Sequence, residues 1–172
     1  MLFRSPNIDH WLVETISSIV EAETMLSAIG EFGDPVAVRP RWVSFTLADS
    51  LTDGAARIRS GESITGAVEA IGGQVEAMLF NCSQPEVMSA AITEAVAALA
   101  GSLVRVGVYA NAFIEVQSAP GQAANETLSV LREDLTAERY ALFAEEWIAA
   151  GASIVGGCCG ITPQHIHALP SA

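Results

Sequence analysis

The sequence predicts an α/β domain organised around a parallel sheet, and three observations carry that expectation. Short apolar runs, partly β-branched, recur at residues 10–15, 42–47, 75–80, 103–110 and 152–155. Segments with apolar residues at helical spacing lie between them. The chain has 172 residues and is 51% hydrophobic, enough to bury a real core. Strands that alternate with helices are joined by crossovers and run parallel.

Each element follows in order. Residues 10–15 (HWLVET) read as the first strand, followed by a helix with Ile19, Ala22, Leu26 and Ile29 on one face, closing near Gly30 and Gly33. The second strand is expected at 42–47, because Pro40 cannot sit in a central strand. A loop at 54–61 precedes a helix at 64–71, and residues 75–80 (VEAMLF) form the third strand. Ser83 and Glu86 have capping-box spacing, with Pro85 in the first turn, so a helix is expected to run to about Leu99. Residues 103–110 form the fourth strand. The long polar stretch 111–135 reads as a lid or binding loop. Thr136 then caps a helix whose apolar stripe is Tyr140, Phe143, Ala144, Trp147 and Ile148, stopped by Gly151. A fifth strand at 152–155 and a last helix started by Thr162-Pro163 complete the chain. Periodicity alone leaves open whether the sheet is doubly wound or part of a (β/α)8 barrel. The stretch Gly156-Gly157-Cys158-Cys159-Gly160 lacks the spacing of a dinucleotide fingerprint.

Composition excludes several function classes. A net charge of -12, from 8 basic and 20 acidic residues, argues against nucleic acid or an anionic membrane as partner. No secretory signal is expected at the start, and no apolar run approaches the roughly 18 residues of a membrane span. Three cysteines, two of them adjacent, make a poor disulfide framework, so a reducing cytoplasm is expected.

The cysteines fall at telling places. Cys82 comes directly after the third strand and Cys158-Cys159 just after the fifth, both at carboxyl ends of strands, where parallel α/β folds build their sites. Three thiolates there would form a soft site suited to zinc. Gly156, Gly157 and Gly160 would let the backbone turn sharply enough to aim two adjacent ligands at one ion. Ordinary buried thiols remain an alternative, as does a vicinal disulfide between Cys158 and Cys159.

Asn81-Cys82 after a strand, Gly156-Gly157-Cys158-Cys159-Gly160-Ile161-Thr162-Pro163 after the last strand, and Glu14-Thr15 with Glu21-Ala22 near the start resemble the homocysteine S-methyltransferase family. Tyr109-Ala110-Asn111 is similar to the family's Tyr-Pro-Asn segment, with Ala in place of Pro. The resemblance covers residues 9–172 and implies a (β/α)8 TIM barrel in which Cys82, Cys158 and Cys159 bind Zn2+. It also implies an open fourth ligand position for a substrate thiol, the mark of a catalytic zinc. Coordination deprotonates a thiol that is otherwise mostly protonated at neutral pH, so that it can attack an activated methyl group.

The resemblance further implies that Glu14 pairs with the substrate's α-ammonium group, and that Asn81, Tyr109 and Asn111 contact substrate. The activity implied is methyl transfer to homocysteine, giving methionine, from a sulfonium donor such as S-methylmethionine or S-adenosylmethionine. Betaine as donor and a selenol as acceptor are alternatives. A vicinal-dithiol redox protein and an inactive zinc-binding fragment are alternatives of other classes. His165 and His167 are two residues apart on the last helix and point to different sides, so both are expected to be structural, as are Trp11, Trp42 and Trp147.

The chain supplies five of the eight βα units of such a barrel; a complete one would need roughly 275 residues. The amino-terminal three units are expected to be missing, which leaves two sheet edges exposed. Residues 1–8 are expected to be a non-native start, because Leu-Phe-Arg-Ser corresponds to one reading frame at the end of a widely used sequencing adapter.

Overall fold

In the computed structural model, which describes residues 8–31, 39–114 and 130–170, the strands hydrogen bond in chain order. β1 (Trp11–Ile16), β2 (Arg41–Thr46), β3 (Ala77–Asn81), β4 (Arg105–Tyr109) and β5 (Ile154–Val155) form one sheet in which every neighbouring pair is parallel. A doubly wound sheet reverses its strand order at a switch point. This order never reverses, which is the progression of a barrel wall. Among the described residues the sheet is open along the outer edges of β1 and β5.

The helices are α1 (Ile19–Glu31), α2 (Ile64–Ile71), α3 (Pro85–Ala98), α4 (Ala137–Ala149) and α5 (Pro163–His167), and each packs against the next. Strand alternation divides the sheet into two faces. Val43, Phe45, Met78, Phe80, Val106 and Val108 share the buried core with Leu26, Ile92, Phe143 and Trp147 from the helices. The alternate positions Ser44, Thr46, Leu79, Asn81, Gly107 and Tyr109 occupy the other face, which becomes polar towards the strands' carboxyl ends. Gly107 keeps that face closely packed: a Cβ there would stand 2.7 Å from the Cβ of Ile154.

Several sequence expectations meet a physical correction. The α3 capping box does not form; the N-cap is Gln84, with no side-chain cap bond. Ser83 is fully buried and its hydroxyl instead accepts the Leu47 backbone N–H at 2.7 Å, while Glu86 pairs with Arg132 at 2.7 Å. A buried amide at the end of β2 has no water to turn to, whereas α3 starts with Pro85, which has no N–H to satisfy. Thr136 does cap α4, accepting from the Arg139 N–H. Ile148 falls off the buried stripe of α4: it is 45% exposed and lines a groove with Ile154, Val155 and Leu169 at the open β5 edge. The fourth strand starts at Arg105 rather than 103, since Leu103 is exposed. The expected non-native start and most of the expected lid lie outside the described residues. No helix among the described residues is long and apolar enough to cross a membrane.

Candidate metal centre

The end of β4 is the frame on which the three cysteines are hung. Cys82 leaves β3 and donates its N–H to the Tyr109 carbonyl at 3.2 Å. Cys158 donates to the Ala110 carbonyl at 2.9 Å, and the Ala112 N–H reaches the Cys159 carbonyl at 2.9 Å. Both cysteine segments are therefore tied by backbone bonds to one short stretch of chain. Cys82 adopts φ 51°, a left-handed conformation that costs a non-glycine residue about 1–3 kcal/mol. Strain of that kind is held in place only by firm surroundings, which the buried neighbours Asn81 and Ser83 provide.

The three Sγ atoms converge within 4.8 Å of one another. Cys82 Sγ and Cys159 Sγ are 3.6 Å apart, and Cys158 Sγ and Cys159 Sγ 3.8 Å. Tetrahedral zinc with Zn–S bonds of about 2.3 Å requires sulfur atoms about 3.8 Å apart. The donor set fits such an ion in type and in spacing.

The glycines flanking the cysteines serve different ends. Gly160 has φ +80°, and a Cβ on it would come within 2.5 Å of Leu131. Gly157 has no such φ; it is required by close approach, since its Cβ would stand 2.3 Å from Ile161 Cγ2. Gly156 would carry a Cβ with only an ordinary contact, 3.5 Å from Tyr109.

Shared protons polarise the thiols. The hydrogen bond from Cys82 lowers Cys158 to about 6 despite burial, aided by the Cys159 amide and by Asn81. The same bond, followed by burial and the Cys158 charge, pushes Cys82 up, and burial raises Cys159. Of the three thiols, Cys158 is thus the one most readily deprotonated.

A polar network lies beside the sulfurs. Asn81 is fully buried; its Oδ1 accepts from Ser44 Oγ at 2.8 Å and its Nδ2 donates to Thr15 Oγ1 at 2.9 Å. Thr15 sits at φ 62°, in the bulge that shifts the β1–β2 register between Val13 and Ile16. Tyr109 pairs with Asn81 across the β3–β4 ladder, and its hydroxyl is buried with no hydrogen-bond partner. Burial pushes that phenol up; nearby Ser44 opposes the shift and the Glu14 carboxylate adds to it, which places Glu14 on the same side. Asn111 faces its own loop, Oδ1 accepting the Phe113 N–H at 3.1 Å. His165 caps α5 through Thr162 and contacts the Leu135 carbonyl at 3.0 Å, away from the thiols.

The fold thus gathers Cys82, Cys158, Cys159, Asn81, Tyr109 and Glu14 on one side, and turns Asn111 elsewhere. In the sequence Thr15 stands out only as part of the Glu14-Thr15 pair, with no role of its own, and Ser44 is not among the expected site residues. For Ser44 there was a signal, a lone small polar residue between Val43 and Phe45 in an apolar strand.

A family model described as homocysteine S-methyltransferase matches residues 2–172. The chain is 28% identical over 158 residues to selenocysteine Se-methyltransferase of Brassica oleracea var. italica, covering 91% of this chain and 41% of the relative. It is 29% identical over 158 residues to homocysteine S-methyltransferase 2 of Arabidopsis thaliana (91% and 42%). It is 25% identical over 170 residues to selenocysteine methyltransferase of Astragalus bisulcatus (94% and 44%). The chain spans less than half the length of these curated relatives. With the model matched across almost its entire length, the chain belongs to the homocysteine S-methyltransferase family.

Proposed function

We propose that this chain is the metal-binding part of a zinc-dependent enzyme that transfers a methyl group from a sulfonium donor, such as S-methylmethionine or S-adenosylmethionine, to the thiol of homocysteine, giving methionine. The convergence of Cys82, Cys158 and Cys159 within 4.8 Å is the observation that carries this reading. When bound, zinc would supply a deprotonated, still electron-rich substrate sulfur held in one orientation. The transfer forms one sulfur–carbon bond and breaks another, and the broken bond's electron pair stays on the departing thioether.

The chain's own residues have the following parts in this proposal. Cys82, Cys158 and Cys159 hold the ion. Glu14 offers its carboxylate to the substrate ammonium group, and the unpartnered Tyr109 hydroxyl is free to bond a polar group of the substrate. Asn81, fastened to Ser44 and Thr15, keeps the floor beside Cys158 rigid. Asn111 already spends its Oδ1 on the Phe113 N–H, so its Nδ2 donors would be what it offers to substrate. The two selenocysteine-directed relatives support a selenol as an alternative acceptor. The free thiols support a reducing cytoplasm as the setting.

The amino-terminal three barrel units would complete the enzyme. The test is metal content and methyl transfer by the complete protein, with each donor, before and after Cys82→Ala. Zinc bound at one ion per chain, lost in the variant together with activity, is the expected result. A protein that binds no zinc under reducing conditions but cycles a Cys158–Cys159 disulfide would instead be a redox protein.

A further inference from the structure

The ladder between β4 and β5 is missing one direct rung just before the cysteines. Val108 pairs with Val155, so in a parallel ladder the bonds along this edge should include Gly156 N–H to Val108, Ala110 N–H to Gly156 and Cys158 N–H to Ala110. The first and third are present, each 2.9 Å. In place of the second, the Ala110 N–H donates to the hydroxyl of Tyr140 at 3.1 Å, and that hydroxyl donates to the Gly156 carbonyl at 2.7 Å. The phenol oxygen has been inserted into the sheet as a relay.

The inserted group is held firmly. Tyr140 comes from α4 and is fully buried. Its ring is met edge-on by Trp147, with centroids 5.4 Å apart, and by His165 at 5.8 Å. His165 is itself fastened to Thr162 and the Leu135 carbonyl. Two peptide groups that would otherwise bond directly are kept apart by one oxygen atom that cannot move aside. Gly156 lies two positions before Cys158, and Ala110 carries the carbonyl that receives the Cys158 N–H.

We propose that Tyr140 is a positioning residue of the metal centre: its hydroxyl, relaying the bond from Ala110 to Gly156, sets the spread of the β4 and β5 ends and so aims Cys158 and Cys159 at Cys82. The inference rests on the thiolate–metal reading above. It explains why α4 presents a tyrosine at a fully buried stripe position where phenylalanine would fill the same volume. Without the oxygen, either the strands close into a direct rung, drawing Cys158 along, or two buried peptide groups lose their partners.

Cobalt(II) titration of the chain under reducing conditions tests this, because thiolate-to-cobalt charge transfer and the ligand-field bands report both affinity and geometry. Tyr140→Phe should bind cobalt roughly ten- to a hundred-fold more weakly, as expected for loss of a group that orients metal ligands, and with shifted bands. Phe143→Leu, which trims the same helix without touching the rung, should lower the melting temperature yet leave the bands unchanged. A folded Tyr140→Phe chain with unaltered affinity and spectrum overturns the inference while leaving the metal reading intact. A wild-type chain that takes up no cobalt overturns both.

Should Tyr140→Phe fail to fold, nuclear magnetic resonance of the unaltered chain decides. The Tyr140 hydroxyl proton should exchange slowly, show a through-space correlation to the Ala110 amide, and shift when cadmium binds. A hydroxyl resonance that cadmium does not move, with the metal demonstrably bound, overturns the inference.

Discussion

Cys82 Sγ lies 3.6 Å from Cys159 Sγ although 77 positions separate the two residues in the chain. Nothing local brings them together; the sheet does, by ending β3 and β5 at the same level on either side of β4. Replacing Cys82 with Ala should therefore leave the fold standing and remove one donor of three. Zinc retained through gel filtration, measured by elemental analysis, should fall from about one ion per chain to a small fraction. Retention of stoichiometric zinc would show that the ion sits elsewhere.

The proton shared among the thiols gives a pH signature in the metal-free chain. Cys158 is lowered to about 6, chiefly by the bond from Cys82, so its thiolate is present above that pH and is lost as the pH falls through it. Cys82 and Cys159 are raised and remain protonated at neutrality. Brief iodoacetamide treatment at pH 7 should label Cys158 first, with the rate falling off near pH 6. Mass mapping that finds Cys82 labelled first contradicts the assignment.

Asn81→Ala removes the partner of two hydroxyls at once. Ser44 is buried among strand residues and would be left without its acceptor, while Thr15 would keep its strained φ and lose its contact. A loss of about 1–3 kcal/mol is expected from urea unfolding. The companion change Ser44→Ala in the Asn81→Ala background should cost little more, since the two residues act as a unit.

Gly157→Ala forces a methyl group against Ile161, 2.3 Å from its Cγ2. Overpacking of this order costs about 1–3 kcal/mol and here displaces the loop that carries Cys158. Adding Ile161→Ala should recover part of the lost melting temperature. If the double variant is as unstable as the sum of the two single changes, the contact is not the cause.

Much of this was readable in the chain. The helix at 64–71 coincides with α2, and the runs at 10–15 and 75–80 overlap β1 and β3 with ends shifted by one or two residues, because the local preferences there agree with the fold. The three cysteines were legible because strand ends in a parallel sheet share one edge, so placement could be inferred without any distance. Ser83 was misread because capping spacing is a local rule, and the Leu47 amide it serves is 36 positions away. Tyr140 was legible only as part of an apolar stripe. A phenol at a helical core position looks like a phenylalanine until the strand carbonyl it meets is known.

The absence of a cysteine from β4 has a mechanical consequence. Each βα unit of this sheet touches its immediate neighbours, so β3 and β5 share no ladder of their own. An ion gripping thiols from both would act as a rivet driven across the intervening strand, joining units that among the described residues share no strand pairing. Its binding free energy would then be partly folding free energy, and chelation would loosen the carboxyl edge as a whole instead of emptying a preformed socket.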